Sequence, residues 1–141
     1  MKKLTIIMLS LVALIATSCG SKYNEKTCED LCVKINEGKN LTEDDYAECI
    51  KQCSAIIDNF KDQFENIKAK AEKEDDEAID LWDDFVTDNE EILEHFGTMY
   101  NALEYADLKG ENKENFKILE EQWEDVGKLA RKAERKVEKL K

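Results

Sequence analysis

The stretch YAECIKQCSAIIDNFKDQFENIKAKA, residues 46–71, decides the fold class. Its apolar positions are Tyr46, Ile50, Cys53, Ile57, Phe60, Phe64, Ile67 and Ala71, alternating steps of four and three. That spacing is a heptad seam, the stripe a helix offers to partner helices. A second seam runs Ala78, Trp82, Phe85, Asn89, Ile92, Phe96, Met99, Leu103 and Ala106. A third runs Phe116, Leu119, Trp123, Val126, Ala130, Ala133, Val137 and Leu140. Between them lie the polar run Glu72–Glu77 and the punctuation Gly110-Glu111-Asn112. With no proline and only five glycines, the pattern predicts an all-α protein with helices near 43–73, 76–108 and 113–141. Helices of such similar length close into an antiparallel three-helix bundle. The join at 73–77 contains no helix breaker. The alternative is therefore one rod over 43–108, which would leave Phe60, Phe64 and Ile67 to be covered by a second copy of the chain.

Upstream, Cys28, Leu31, Cys32 and Ile35 share one face of a further helix starting near Asn24. Gly38 suits the left-handed residue that follows a helix. Thr42 and Asp45 form a variant capping box for the next helix, and Leu41 is placed to staple onto Tyr46. In an antiparallel hairpin, facing residues have a constant sum of positions because both helices rise at the same rate. Cys28 with Cys53, and Cys32 with Cys49, share the sum 81, centred on the turn at Asn40-Leu41. Two disulfides, Cys28–Cys53 and Cys32–Cys49, would be rungs one helical turn apart. A zinc site of four thiolates is the competing reading, but structural zinc more often uses C-x2-C knuckles. A redox couple more often shows C-x-x-C at a helix start. The twin C-x3-C steps resemble the disulfide hairpins of mitochondrial intermembrane-space chaperones over residues 28–53, a likeness of geometry from which no chaperone function is carried over.

The chain opens with Met1-Lys2-Lys3, an apolar run from Leu4 to Ala16 and the small residues Ala16-Thr17-Ser18 before Cys19. This is the pattern of a signal peptide over 1–18. The 13-residue apolar run falls short of the ~18–20 residues a spanning helix needs. Leu14-Ile15-Ala16-Thr17-Ser18-Cys19-Gly20 resembles the lipobox of bacterial lipoproteins, in the looser form used by groups such as the Bacteroidetes, since Ala16 stands where leucine is usual. The resemblance implies that Cys19 carries a diacylglyceryl group and becomes the N-terminus, with 19–23 as tether and 24–141 as helical domain. Within that domain, 24–57 is the disulfide-linked hairpin and 43–141 the heptad-patterned part. Cysteine arithmetic agrees, because four of the five cysteines pair and acylation removes the leftover thiol.

Without residues 1–18, 19 basic residues face 33 acidic ones, a net charge of −14. Such a surface repels nucleic acid and anionic headgroups. Residues 74–94 hold eleven carboxylates and no base, yet lack the spacing of a calcium-binding EF-hand loop, so a solvated helix face is expected rather than a metal site. Residues 128–141 carry seven bases against Glu134 and Glu138, and an antiparallel pairing of the last two long helices would set this basic end beside the acidic start. The lone His95 has no evident catalytic partner, and Trp82, Trp123 and Tyr100 read as core. No nucleophile elbow, phosphate loop or haem-attachment motif is present. The expectation is a non-enzymatic protein without cofactor or metal, monomeric or homodimeric. It would be held to a membrane of the bacterial cell envelope by its N-terminal lipid, the outer membrane being favoured, and would serve as a structural or protein-interaction module for another envelope or secreted protein. The alternative is an immunity-type or inhibitor lipoprotein whose acidic surface binds a basic partner.

Overall fold

The computed structural model describes residues 23–141; the expected signal peptide and Cys19 lie outside them. Five helices and no strand occur among the described residues: α1 Glu25–Asn36, α2 Glu43–Glu72, α3 Glu77–Asp88, α4 Glu90–Tyr105 and α5 Gly110–Glu138. None is long and apolar enough to cross a membrane.

Local chemistry sets most of the helix ends. Asn24 caps α1, its Oδ1 accepting from the Thr27 amide at 3.0 Å. The helix stops at Gly38, with φ +70°, where the amides of Gly38 and Lys39 donate to the carbonyls of Ile35 and Lys34. These two bonds are the Schellman pattern. The capping box of α2 is complete: the Asp45 amide donates to Thr42 Oγ1 at 3.1 Å and the Thr42 amide to Asp45 Oδ2 at 3.0 Å. Accepting from the Thr42 backbone, and then from Lys34, holds the Asp45 carboxyl below its usual range.

At the end of α2 the same Schellman pattern recurs without glycine. Glu74 takes φ +56°, and the amides of Glu74 and Asp75 donate to the carbonyls of Ala71 and Lys70. Asp75 Oδ1 then accepts from the Glu77 amide at 3.0 Å, and the Lys70 ammonium pairs with both Asp75 and Glu77. Side-chain hydrogen bonds and ion pairs thus make the turn that no glycine or proline announces, and the continuous rod over 43–108 is not formed.

The helix expected over 76–108 is also divided, at Asn89. This residue leaves helical geometry at φ −106°, ψ 10° and is buried, 5% exposed. Its Nδ2 donates to the Phe85 carbonyl at 2.8 Å and to Gln63 Oε1 at 3.4 Å. A short amide side chain that bonds its own backbone competes with the helix ladder. The break separates two aromatic clusters. Trp82 and Phe85 of α3 meet Phe60 and Phe64 of α2, with Phe64–Phe85 centroids at 4.5 Å. Phe96 and Tyr100 of α4 meet Trp123 and Phe116 of α5, with Phe96–Trp123 at 4.4 Å.

Helix directions follow from these pairings. Phe60 meets Phe85 while Phe64 meets Trp82, and Phe96 meets Trp123 while Tyr100 meets Phe116, so α3 and α4 run antiparallel to α2 and α5 respectively. The bonds Glu43–Asn112, Ser54–Gln122 and Glu72–Lys136 advance together along α2 and α5, which therefore run parallel. Helix α2 touches every other helix. Its residues Gln52 to Ile57 are all buried, because α1, α4 and α5 enclose it there. The seam residues Ile50, Phe60, Phe64 and Ile67 are 5% exposed or less. At roughly 1.5–3 kcal/mol for each large side chain fully buried, this central helix organises the core.

Charge is ordered less directly than expected. Among the described residues, no ion pair joins the acids of 77–94 to the bases of 128–141. The one cross-helix pair at the basic end is Lys136 with Glu72 of α2, at 3.3 Å.

Candidate functional site

The densest group of chemically capable side chains is the set of four cysteines between α1 and α2. Cys28, Cys49 and Cys53 are fully buried and Cys32 is 7% exposed. The two helices are antiparallel here, with Lys34 Nζ 3.0 Å from Asp45 Oδ1 near their turn and the Asn24 amide donating to Gln52 Oε1 at 2.7 Å at the far end. The backbone of α1 nevertheless lies closer to α4 than to α2, and Cys32 Sγ points a thiol at the His95 carbonyl of α4, 3.7 Å away.

Gln52 organises the apolar end of this cluster. Its Oε1 accepts from the Asn24 amide and from the Cys28 thiol at 3.6 Å, while its Nε2 donates to Glu48 at 2.8 Å. A buried amide costs stability unless its groups are paired, and this one is paired on both sides. Gln52 was not legible as a site residue, since its place depends on α1 folding back to the level of residue 52.

All four cysteines stand as free thiols in the structure, so neither expected bridge is among its bonds. Burial pushes Cys28 and Cys49 up to about 12, with neighbouring cysteines adding to the rise. Burial also raises Cys53 well above the ordinary thiol value, and Cys32 less so. Thiolate is the form that binds metal and attacks disulfides, and here it is strongly disfavoured. Among the described residues, carboxylate oxygens of Glu25, Glu29 and Glu91 lie within 4.8 Å of one another, all three residues exposed; the cysteine sulfurs form no such group.

The other residues singled out by sequence fall on the packed surfaces. Trp82, Trp123 and Tyr100 are half-buried against the core, and burial raises the Tyr100 hydroxyl to about 12. His95 is half-buried with Nδ1 unpartnered; its backbone, not its ring, meets the cysteine cluster. The acids Asp80, Asp83, Asp84, Asp88, Glu90, Glu91 and Glu94 are exposed on α3 and α4, and none has an ion-pair partner within 4.0 Å among the described residues. Comparison with family models, curated proteins and solved structures gives no match to this chain.

Proposed function

We propose that the chain is a lipid-anchored, non-enzymatic helical module of the bacterial cell envelope that presents helix faces to another envelope or secreted protein. The observation that carries this reading is the lipobox-like stretch ending at Cys19, set immediately before a helical body whose buried cysteines come in matched pairs. In an exported protein such thiols become bridges, so the proposal includes Cys28–Cys53 and Cys32–Cys49 and an antiparallel three-helix bundle stapled at one side by that hairpin. The shared burial of the four cysteines and the antiparallel run of α1 beside α2 support the pairing. The test of the anchor is Cys19→Ala: the variant should leave the detergent phase or accumulate as unprocessed precursor, and partitioning identical to wild type would sink the reading. Peptide mapping without reductant tests the bridges, and four free thiols in protein taken from the envelope would remove them.

A second reading is supported by the seven unpaired carboxylates on α3 and α4. An immunity-type or inhibitor lipoprotein would use that face to hold a basic partner by charge complementarity. Recovery of one basic protein in a pull-down that fails at high salt favours it; a membrane complex that survives high salt favours the first.

A further inference from the structure

Helix α1 is held to the body by little buried surface. It buries three residues, Cys28, Leu31 and Cys32, against twelve in α2 and seven in α5; α3 buries two and α4 three, but those helices are also held through the aromatic clusters. Two of the three α1 residues are thus the thiols themselves. Its polar ties are few: Asn24 and Cys28 to Gln52, Lys34 to Asp45 and Cys32 to the His95 carbonyl. A 12-residue helix is marginal by itself in water, so α1 depends on this small seat. Beyond the stretch of α2 around Cys49 to Cys53, the core has contacts that do not involve α1. The aromatic clusters joining α2 to α3, and α4 to α5, involve no residue of α1.

We infer that α1 is a redox-set clasp: with its thiols reduced it opens as a unit from a body that stays folded, and that opening is the only access to the four cysteines. Local opening of a sparsely buried terminal element, below the energy of global unfolding, is ordinary behaviour for a protein of this kind. What sets this case apart is that the proposed bonds and the helix seat belong to different partners. The bonds join α1 to α2, while its backbone lies along α4. Once bridged, α1 is bonded to α2 as well as seated on α4. Once reduced, it can leave both, and these two still meet directly.

The burial that closes the thiols also makes them unreactive when α1 is seated, with Cys28 and Cys49 raised to about 12. Oxidation therefore proceeds from the open form. A thiolate of one facing pair attacks a disulfide-bearing oxidant, breaking that S–S bond and releasing one thiol. The facing thiolate then displaces the second, so that one S–S bond forms in the protein, and two electrons and two protons pass to the oxidant. This redox half rests on the disulfide reading above; the opening itself does not.

The test is hydrogen exchange on the full chain kept in a phosphine reductant, with iodoacetamide labelling in parallel. Amides of 25–36 should exchange at least ~100-fold faster than those of 56–67, and the protection of 116–133 should be unaffected by reduction. All four cysteines should alkylate at one common rate, faster than global unfolding. Leu31→Ala should speed exchange in α1 a further ~10-fold while leaving α5 unchanged. Protection of α1 equal to that of α2, alkylation that waits for global unfolding, or loss of protection in all helices together would each overturn the clasp. Intact mass after alkylation without reductant counts the bridges separately, so failure of the disulfide reading shows there and not in the exchange of reduced protein.

Discussion

Asn112 on α5 reaches the first turn of α2, its Nδ2 donating to the Glu43 carbonyl at 3.0 Å and to the Glu43 carboxylate at 2.8 Å. The two helices run parallel, so this contact pins one end of their interface and fixes their offset. Asn112 is 9% exposed. Asn112→Leu should cost about 1–2 kcal/mol, since it removes a bond to a charged acceptor. Urea unfolding with an unchanged m-value is the measurement; a variant as stable as wild type would mean that the parallel offset is set elsewhere.

Glu74 and Gly38 occupy the same position in two Schellman turns, at φ +56° and +70°. A side chain in the left-handed region costs roughly 1–2 kcal/mol that glycine avoids. Glu74→Gly should therefore stabilise by about 0.5–1 kcal/mol despite the greater freedom it gives the unfolded chain. Gly38→Ala should destabilise by about 1 kcal/mol. Paired denaturant curves decide this, and loss of stability in Glu74→Gly would show that the Glu74 side chain contributes more than its backbone costs.

Asp58, half-buried on α2, has its carboxyl raised to about 6, chiefly by burial and with Asp62 adding to it, while Lys61 opposes the shift. A folded value above the unfolded one means that the native state binds the extra proton, so stability rises as pH falls from about 7 to 5. Taken at face value the shift is worth about 3 kcal/mol; solvent around a partly exposed group reduces this to about 1. Asp45, lowered by its cap bonds, acts with the opposite sign: its contribution is present above its unfolded pKa and lost as pH falls through the lowered folded value. Maximum stability is expected near pH 5, and Asp58→Asn should flatten the slope between 5 and 7. A slope unchanged in that variant would assign it to another group.

The basic end of α5 meets α2 through one ion pair, Lys136 with Glu72. Reversing Arg131, Lys132, Arg135 and Lys136 to glutamate should lower the melting temperature at low ionic strength, with recovery in high salt. Lys136→Glu alone should reproduce only part of that loss. Equal melting of the fourfold variant and wild type at low salt would end any role for charge order along these helices.

Periodicity made the helices legible because a seam is a property of one segment. Ile50, Phe60, Phe64, Phe116, Leu119 and Val126 are core for the reason their spacing states. The capping box of Thr42 and Asp45 and the left-handed Gly38 were readable as well, being local chemistry. The place of the turn at Glu74 followed from where one seam ends and the next begins, but its chemistry did not, since it is made by Lys70, Asp75 and Glu77 with no glycine. Nor did the break at Asn89, whose buried amide is supported by Gln63 from another helix. The full enclosure of Gln52–Ile57 depends on three surrounding helices and leaves no trace in a heptad count. For the site, the four cysteines and the antiparallel run of the two helices that carry them were visible in the sequence. The seat of α1 on α4 was not, because Cys32 meets a backbone carbonyl, which no side-chain pattern encodes.

Given the proposed lipid at Cys19, the bond between the Asn24 amide and Gln52 would also govern how the body stands on a membrane. It places the entry of the described chain beside residue 52 of a helix spanning 43–72, about 14 Å from one end and about 30 Å from the other at 1.5 Å per residue. Between an anchor at Cys19 and Asn24, five residue steps reach at most ~18 Å. An anchor at that distance would be within reach of the level where α2 begins and out of reach of the level where α2 turns at Glu74. On the proposed anchor the molecule would stand with a single polarity, the Glu74 turn and the basic last turns of α5 lying about 45 Å along α2 from its membrane end and facing the aqueous side.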